Sequence, residues 1–175
     1  IRNRGHRAQS WFLDLDLVMG YWGEGAQRAY HHTAPVNALY GLHEALVLLK
    51  EEGLENAWAR HRRNHEALAA GLECLNIEFV VDATHRLPQL NCVSFPAGVD
   101  DAAVRKQLLH DFQLEIGAGL GPLAGKVWRI GLMGYASNQK NVLLCLGALE
   151  AVLSQQGVPV DAGEAVAAAQ AVYAS

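Results

Sequence analysis

From Val36 onwards, the apolar residues change their spacing in a fixed order, and that order predicts a mixed α and β fold. A run that starts at Val36 and a second run after Gly53 place apolar residues three and four apart, which is typical of amphipathic helices. Alternating runs then predict strands at "NIEFVV" and at Leu90–Phe95, and Asp100 is placed to cap a third helix. The chain is therefore expected to pass between helices and short strands.

The last third of the chain continues this order. Two short strands, in "LEIGAG" and "VWRIGL", are separated by a glycine-rich loop, and Ser137 is placed to cap an amphipathic helix that Gly157 ends. An alanine-rich tail predicts one more helix. Together these segments predict the α+β class: a small, mostly antiparallel sheet with helices packed on one face.

The residues before Tyr30 fit this unit poorly. The segment "SWFLDL" predicts a strand at Trp11–Leu15, and residues 17–21 predict a short helix or turn. We therefore expect residues 1–35 to be the end of a different domain with its connecting loop. Residues 36–175 are expected to form a small domain of their own.

Composition and charge exclude several classes of partner. The chain has 175 residues and a net charge of -4, with no basic stripe of the kind that binds nucleic acid. It contains no apolar run of about 18 residues, so no membrane span is expected. Neither a signal peptide nor a peroxisomal tail is recognisable, which favours a cytoplasmic location. The three cysteines are widely spaced and predict reduced thiols: Cys74, Cys92 and Cys145.

The glycine-rich stretch "GAGLGPLAGKVWRIGLMGY" invites comparison with a nucleotide-phosphate loop, but it lacks the required pattern. Leu120 stands where such a loop has its first glycine, and Val127 follows the lysine where Ser or Thr would hold magnesium. A phosphate loop is followed by a helix whose amides face the anion. Here a predicted strand follows, so a nucleotide is not the expected ligand.

Arg129 is a lone cation in this apolar strand. Strand alternation puts Val127, Arg129 and Gly131 on one side of the strand, with Trp128 and Ile130 on the other. A lone arginine inside an apolar strand needs either an acidic partner from the protein or a bound anion. Its planar fork suits a carboxylate, which it binds through two parallel hydrogen bonds. A structural ion pair and an anion site both remain open at this point.

The segment "YHHT" groups a phenol, two imidazoles and a hydroxyl at a predicted helix entry. Adjacent histidines in an extended segment are expected to point in opposite directions, so we predict no shared metal at His31 and His32. Tyr30 and Thr33 offer hydroxyl donors for a phosphate, and a hydrogen-bonded helix cap is the alternative.

Four motifs carry a family resemblance: "YHHTAPVNALYGLHEAL", "EEGLENAWARHRRNHEAL", "RLPQLNCVSFPAG" and "LEIGAGLGPLAGKVWRIGLMG". In this order and spacing, they resemble the C-terminal part of the alanine–glyoxylate / serine–pyruvate aminotransferases. These are class V, fold type I enzymes that use pyridoxal 5'-phosphate (PLP). The resemblance runs from about residue 9 to residue 155. It implies that residues 1–35 end a PLP-binding large domain and that residues 36–175 form the small C-terminal domain.

The resemblance also implies roles for particular residues. Arg129 matches the arginine that grips the α-carboxylate of an amino or keto acid substrate, and Gly119 lies in the glycine loop beside it. Tyr30 and Thr33 match a pair that reaches across a homodimer interface to the PLP phosphate of the other subunit. The implied partners are small amino and keto acids, together with a second copy of the chain.

The lysine that binds PLP covalently is the part that this sequence does not match. None of the four lysines lies in the family's lysine motif: Lys50, Lys106, Lys126 and Lys140. The resemblance places that motif in an N-terminal segment upstream, so no catalytic residue is assigned here and the chain alone is expected to be inactive. The expected reaction moves an amino group from alanine or serine to glyoxylate or pyruvate. The alternatives are a ureidoglycine-type donor and a non-catalytic dimerisation fragment.

Overall fold

The computed structural model describes residues 3–6, 8–22 and 29–175. The chain divides into two compact units, residues 1–51 and residues 52–175. No helix among the described residues is long and apolar enough to cross a membrane. The predicted domain boundary after residue 35 concerns a larger protein, and it stays a prediction.

The first unit contains helix α1 (Leu15–Trp22) and nearly all of helix α2 (Val36–Glu52). The strand predicted at Trp11–Leu15 is wrong, because Asp14 starts a helix there. The Asp14 carboxylate accepts the backbone N–H of Asp16 at 3.1 Å, and the Asp14 carbonyl accepts that of Val18 at 3.0 Å. Asp14 therefore caps a helix and Asp16 lies in its first turn, so the two aspartates do not mark the polar face of a strand. The helix predicted at residues 17–21 is confirmed within α1.

The second unit is built from four helices and a small sheet. Its strands are β1 (Leu90–Ser94), β2 (Gly117–Ala118) and β3 (Val127–Gly131), and β3 lies between the other two, antiparallel to both. Its helices lie around the sheet in the sequence: α3 (Leu54–Cys74), α4 (Asp101–Phe112), α5 (Gln139–Gln155) and α6 (Glu164–Ala174). The predicted α+β class with an antiparallel sheet is confirmed.

Two local predictions for this unit are corrected. In "NIEFVV", only Phe79 forms a bridge, with Val93, before the chain turns away from β1. The turn is stabilised by the Asp82 carboxylate, which accepts a backbone N–H two residues ahead. The cap of α5 is Asn138 and not Ser137: the Asn138 side chain accepts the N–H of Asn141 at 2.9 Å. Asp100 caps α4 as predicted.

The core forms where one face of the sheet meets the helices. Val93, Trp128 and Ile130 are buried on this face, at alternate positions of β1 and β3. Fully buried leucines of the helices join them in one apolar cluster: Leu68, Leu72, Leu108, Leu146, Leu149 and Leu153. Trp128 is thus enclosed on one side of β3, which leaves the other side for its neighbour Arg129.

Helix α6 is joined to this core by a buried acid of α5. The Glu150 carboxylate accepts the backbone N–H groups of Gly163 at 3.2 Å and Ala165 at 2.8 Å. Gly163 caps α6 without a side chain of its own, so Glu150 satisfies the amides that a helix leaves unpaired at its start. The same carboxylate lies at the positive end of the helix dipole.

The packing of α3 against α5 and α6 predicts a sharp difference between two helix glycines. A Cβ at Gly71 would lie 2.3 Å from Leu146 Cδ1 and 2.8 Å from the Ala165 carbonyl oxygen. We expect Gly71→Ala to lower the free energy of unfolding by about 1–3 kcal/mol through overpacking. Urea unfolding followed by circular dichroism measures this change.

Gly147→Ala is the matched control in α5. Its Cβ would meet Val166 at 3.6 Å, an ordinary contact. Alanine should therefore be neutral, or stabilising by up to about 1 kcal/mol through helix propensity. Equal stability of the two variants would contradict the close approach of α3, α5 and α6.

Candidate functional site

Arg129 lies at the centre of the sheet on the face that points away from the core. Its neighbours Trp128 and Ile130 are buried on the other face, while Arg129 itself is half-buried. The register pairs Arg129 with Cys92 of β1 on one side and with Gly117 of β2 on the other. The alternation predicted from the sequence is therefore confirmed, and it places one guanidinium between two small residues.

Among the described residues, the guanidinium of Arg129 is held by the backbone and by no acidic side chain. Its Nε donates to the Ala118 carbonyl oxygen at 2.8 Å. Within residues 3–6, 8–22 and 29–175, no carboxylate lies within 4.0 Å of it, and its two terminal nitrogens have no protein hydrogen-bond partner. Among the same residues, every buried side-chain nitrogen has a hydrogen-bond partner. Because the two terminal nitrogens of Arg129 have none, they are not buried and are accessible to solvent. Such a cation is available to an anion from outside.

The glycine loop beside Arg129 has a defined geometry. Gly119 donates its N–H to the Val127 carbonyl at 3.0 Å, and a short 3-10 turn follows at Gly121–Leu123. A Cβ at Gly119 would lie 1.9 Å from the Leu123 carbonyl oxygen, so the turn itself requires glycine there. The substrate-binding role of Gly119 stays a prediction, beside this structural role.

Strand β3 is anchored on its buried face by a charged network. The Trp128 indole N–H donates to the Asp101 carboxylate at 2.9 Å, and Arg105 donates to the same carboxylate from its Nε at 2.8 Å. Phe95 stacks on the Trp128 ring with centroids 4.9 Å apart. Tryptophan and aspartate are 27 residues apart in the chain, and no sequence pattern indicated that they would meet. The network fixes the residue next to Arg129.

The loop after β3 is clamped to α3. Arg60 donates to the carbonyls of Gly134 at 2.9 Å and Ser137 at 2.7 Å. The adjacent His61 donates from Nδ1 to the Ala57 carbonyl, and its Nε2 accepts the Gly134 N–H at 3.1 Å. Arg60 also lowers the pKa of the Glu52 carboxyl through a hydrogen bond. Both ends of β3 are therefore held: the start by the glycine turn, the end by this clamp.

In the first unit, Tyr30 and Thr33 come together before α2 begins. Their hydroxyl oxygens lie 2.7 Å apart, which is hydrogen-bond distance, and both residues are exposed. The Tyr21 ring contacts Tyr30 edge-on, with centroids 5.9 Å apart. The pair predicted from "YHHT" therefore exists as one cluster of two hydroxyl groups. Its role as a phosphate ligand stays a prediction.

The expected orientation of the two histidines is wrong. His31 and His32 do not point apart: their Nδ1 atoms lie 2.6 Å from each other. His31 Nε2 lies 3.1 Å from the Trp11 carbonyl, which only accepts, so this nitrogen carries a proton. In a neutral His31 ring, Nδ1 then accepts a hydrogen bond from His32 Nδ1. The Trp11 ring stacks on the His31 ring, with centroids 4.0 Å apart.

Side chains of other reactive types are dispersed in the part of the chain that the structure describes. These residues contain no group of three or more His, Cys, Asp or Glu placed to hold a metal ion. All four lysines are exposed. Cys145 is buried in the core, where burial raises the pKa of its thiol to about 12 and keeps it neutral.

Residues 15–142 match the sequence profile of the aminotransferase class-V family, and this match covers well over half of the chain. The chain belongs to the class V aminotransferase family. The resemblance drawn from the four motifs is thereby confirmed. Members of this family are generally PLP-dependent.

Individual class V aminotransferases are similar to this chain over most of its length. The (S)-ureidoglycine–glyoxylate transaminase of Bacillus subtilis (strain 168) is 43% identical over 93% of this chain and 38% of its own length. The alanine–glyoxylate aminotransferase of Callithrix jacchus is 43% identical over 87% of this chain and 37% of its own. The crystal structure of the Bacillus subtilis ureidoglycine–glyoxylate aminotransferase superimposes with a TM-score of 0.90 at 42% identity, over 99% of this chain and 44% of that one.

The chain thus spans about two fifths of the length of these aminotransferases. The residues that match the family profile include β3, the glycine loop and the segment that carries Tyr30 and Thr33. The class V membership confirms the fold type that the sequence predicted.

The network behind Arg129 predicts a pH-dependent contribution to stability. Arg105, and then Trp128, hold the pKa of the Asp101 carboxyl below its usual value through hydrogen bonds. A lowered pKa in the folded state means that the stabilisation is present above the unfolded pKa and is lost as the pH falls through the folded value. We expect Asp101→Asn to cost about 1–3 kcal/mol of unfolding free energy at neutral pH. The difference from the unsubstituted protein should shrink below about pH 4.

Urea unfolding across a pH series, followed by tryptophan fluorescence, measures this contribution. Asp111→Asn, an exposed aspartate at the other end of α4, is the control and should change stability by less than about 0.5 kcal/mol. A pH-independent loss in Asp101→Asn would show that its carboxylate charge does not stabilise the fold.

Proposed function

We propose that this chain forms the C-terminal part of a PLP-dependent aminotransferase that moves an amino group from alanine or serine to glyoxylate. The observation that carries the proposal is the Arg129 guanidinium, which is bound to a backbone carbonyl and leaves both terminal nitrogens without an acidic partner among the described residues. Amino donors and keto acceptors of this reaction share an α-carboxylate, and one such cation serves both.

The residues present fit the cofactor that the family generally uses. Two exposed hydroxyl groups, those of Tyr30 and Thr33, lie 2.7 Å apart and offer neighbouring donors to one phosphate group. Bound PLP supplies an electron sink for the carbon that exchanges its amino group. We assign Tyr30 and Thr33 to the phosphate, across the interface of a homodimer.

Arg129 binds and orients the substrate in this proposal. The Ala118 carbonyl takes the Nε hydrogen, so the remaining N–H groups form a fork that donates two parallel hydrogen bonds to a carboxylate. The glycines of β2 and its loop have no side chains, so a small acid approaches the strand closely. A fixed carboxylate holds the reacting α-carbon at one position through both halves of the reaction.

Two named relatives share glyoxylate and differ in the amino donor, alanine in one and ureidoglycine in the other. We favour alanine or serine as the donor, and a ureidoglycine-type donor is the alternative. Turnover of the full-length protein with glyoxylate and each donor in turn decides between them. Turnover with ureidoglycine alone would assign the alternative, and turnover with no donor would favour a non-catalytic role.

Replacing the arginine tests the carboxylate site directly. In the full-length protein, Arg129→Ala should reduce kcat/KM for glyoxylate about 10- to 150-fold, because a hydrogen-bonded charge pair contributes about 1.5–3 kcal/mol. The kcat/KM of Arg129→Lys should lie between the values of Arg129→Ala and the unsubstituted protein, since lysine keeps the charge and loses the planar fork. Steady-state kinetics with glyoxylate as the varied substrate gives the values.

Arg62→Lys is the matched control, because Arg62 is an exposed arginine on α3. It should leave kcat/KM within about twofold of the unsubstituted protein. If Arg129→Ala also kept normal kinetics while remaining folded, Arg129 would not bind the substrate.

Removal of the paired hydroxyls tests the phosphate site. Tyr30→Phe and Thr33→Ala should each weaken the affinity of the full-length protein for PLP by about tenfold, the effect of losing one hydrogen bond to a charged group. The dissociation constant is measured by titrating the apoprotein with PLP and following absorbance. Tyr40→Phe is the control: it removes the hydroxyl of an equally exposed tyrosine on α2 and should leave the dissociation constant for PLP unchanged. Unchanged affinity in Tyr30→Phe and Thr33→Ala alike would argue against this phosphate site.

A further inference from the structure

Gly117 lies directly opposite Arg129 in the antiparallel pair of β2 and β3. Residues opposite each other in such a pair project from the same face of the sheet. A Cβ placed on Gly117 would lie 3.2 Å from the terminal Nη2 of Arg129 and 3.4 Å from both its Nε and its Cβ. The arginine side chain therefore extends over the backbone of Gly117 and fills the space that a side chain there would take.

The backbone itself does not require glycine at this position. Gly117 is a strand residue and is absent from the residues with positive φ, where glycine is favoured for conformational reasons. Gly119 differs, because its Cβ would meet the Leu123 carbonyl oxygen at 1.9 Å. The two glycines thus differ in what a side chain would meet: at Gly119 it would clash with the turn, and at Gly117 it would crowd the guanidinium.

We propose that Gly117 is a positioning residue for substrate binding, which acts by letting Arg129 lie across β2. In that position Nε reaches the Ala118 carbonyl at 2.8 Å, and both terminal nitrogens remain for a substrate carboxylate. A methyl group at position 117 displaces the guanidinium by a few tenths of an ångström and weakens either contact. The inference rests on the proposed carboxylate role of Arg129 and adds a second residue that determines where the carboxylate binds.

Gly117→Ala in the full-length protein tests this inference. We expect KM for glyoxylate to rise about five- to twentyfold, because small displacements of a binding group reduce its contribution steeply. The value of kcat should stay within about twofold, since a carboxylate contact made in both the ground state and the transition state affects KM alone. The thermal unfolding midpoint should not fall, because alanine suits a strand better than glycine.

A double substitution separates an effect through Arg129 from a general one. In the Arg129→Ala background, Gly117→Ala should change KM by less than about twofold, since the group that it displaces is gone. Cys92→Ala is the control. Cys92 lies opposite Arg129 on the neighbouring strand β1, whereas the guanidinium extends towards β2. This variant should leave KM within about twofold.

Several outcomes would overturn the inference. Unchanged KM in Gly117→Ala would do so, as would an equal rise with and without Arg129, or an equal rise in Cys92→Ala. Loss of the fold in Gly117→Ala also contradicts it, because the Arg129 side chain is the group that a Cβ there would crowd. Normal kinetics in Arg129→Ala would instead reject the proposed function. If Arg129→Ala greatly lowered kcat/KM for glyoxylate while Gly117→Ala left KM unchanged, only this inference would be rejected.

Discussion

The hydrogen bond from Arg129 Nε to the Ala118 carbonyl is the contact on which the candidate site depends. A guanidinium bound to a carbonyl keeps its full positive charge, whereas one bound to a carboxylate is largely neutralised. The backbone therefore orients this cation without satisfying it. Because the guanidinium is half-buried, its attraction for an external anion is screened less than that of a fully exposed arginine. Orientation and residual charge are together what the proposed role of Arg129, binding a carboxylate, requires.

This contact is useful only if β3 is rigid, and the second unit holds β3 from several directions. Trp128 is fixed by Phe95 and by the carboxylate of Asp101, on the face opposite to Arg129. The chain that follows β3 is held by Arg60 and His61 of α3. These contacts bring together residues far apart in sequence, so the position of one guanidinium depends on the fold of the whole unit. A substitution far from Arg129 can thereby shift its guanidinium.

The sequence predicted those features that local spacing determines. The helices, the strand at Leu90–Phe95, and the face of β3 that carries Arg129 all follow from periodicity. It could not predict the register that pairs Arg129 with Gly117, because register depends on hydrogen bonds between distant strands. It also failed where a side chain bonds to nearby backbone: Asp14 turns a strand-like alternation into a helix start. Nor could it predict that His31, which contacts His32 directly, also stacks on Trp11, 20 residues away in the sequence.

The two glycines beside Arg129 show why a glycine in a sequence has no single meaning. Gly117 and Gly119 both lie in the segment "LEIGAG". Neither composition nor spacing indicates that the two glycines have different roles. Coordinates separate them, because a Cβ at Gly119 meets a backbone oxygen while a Cβ at Gly117 meets a guanidinium. The first conflict concerns the path of the chain, so it bears on folding. The second concerns a side chain that ends at solvent, so it bears on what Arg129 can bind. Gly119 therefore belongs to the turn, whereas our proposal assigns Gly117 to the site.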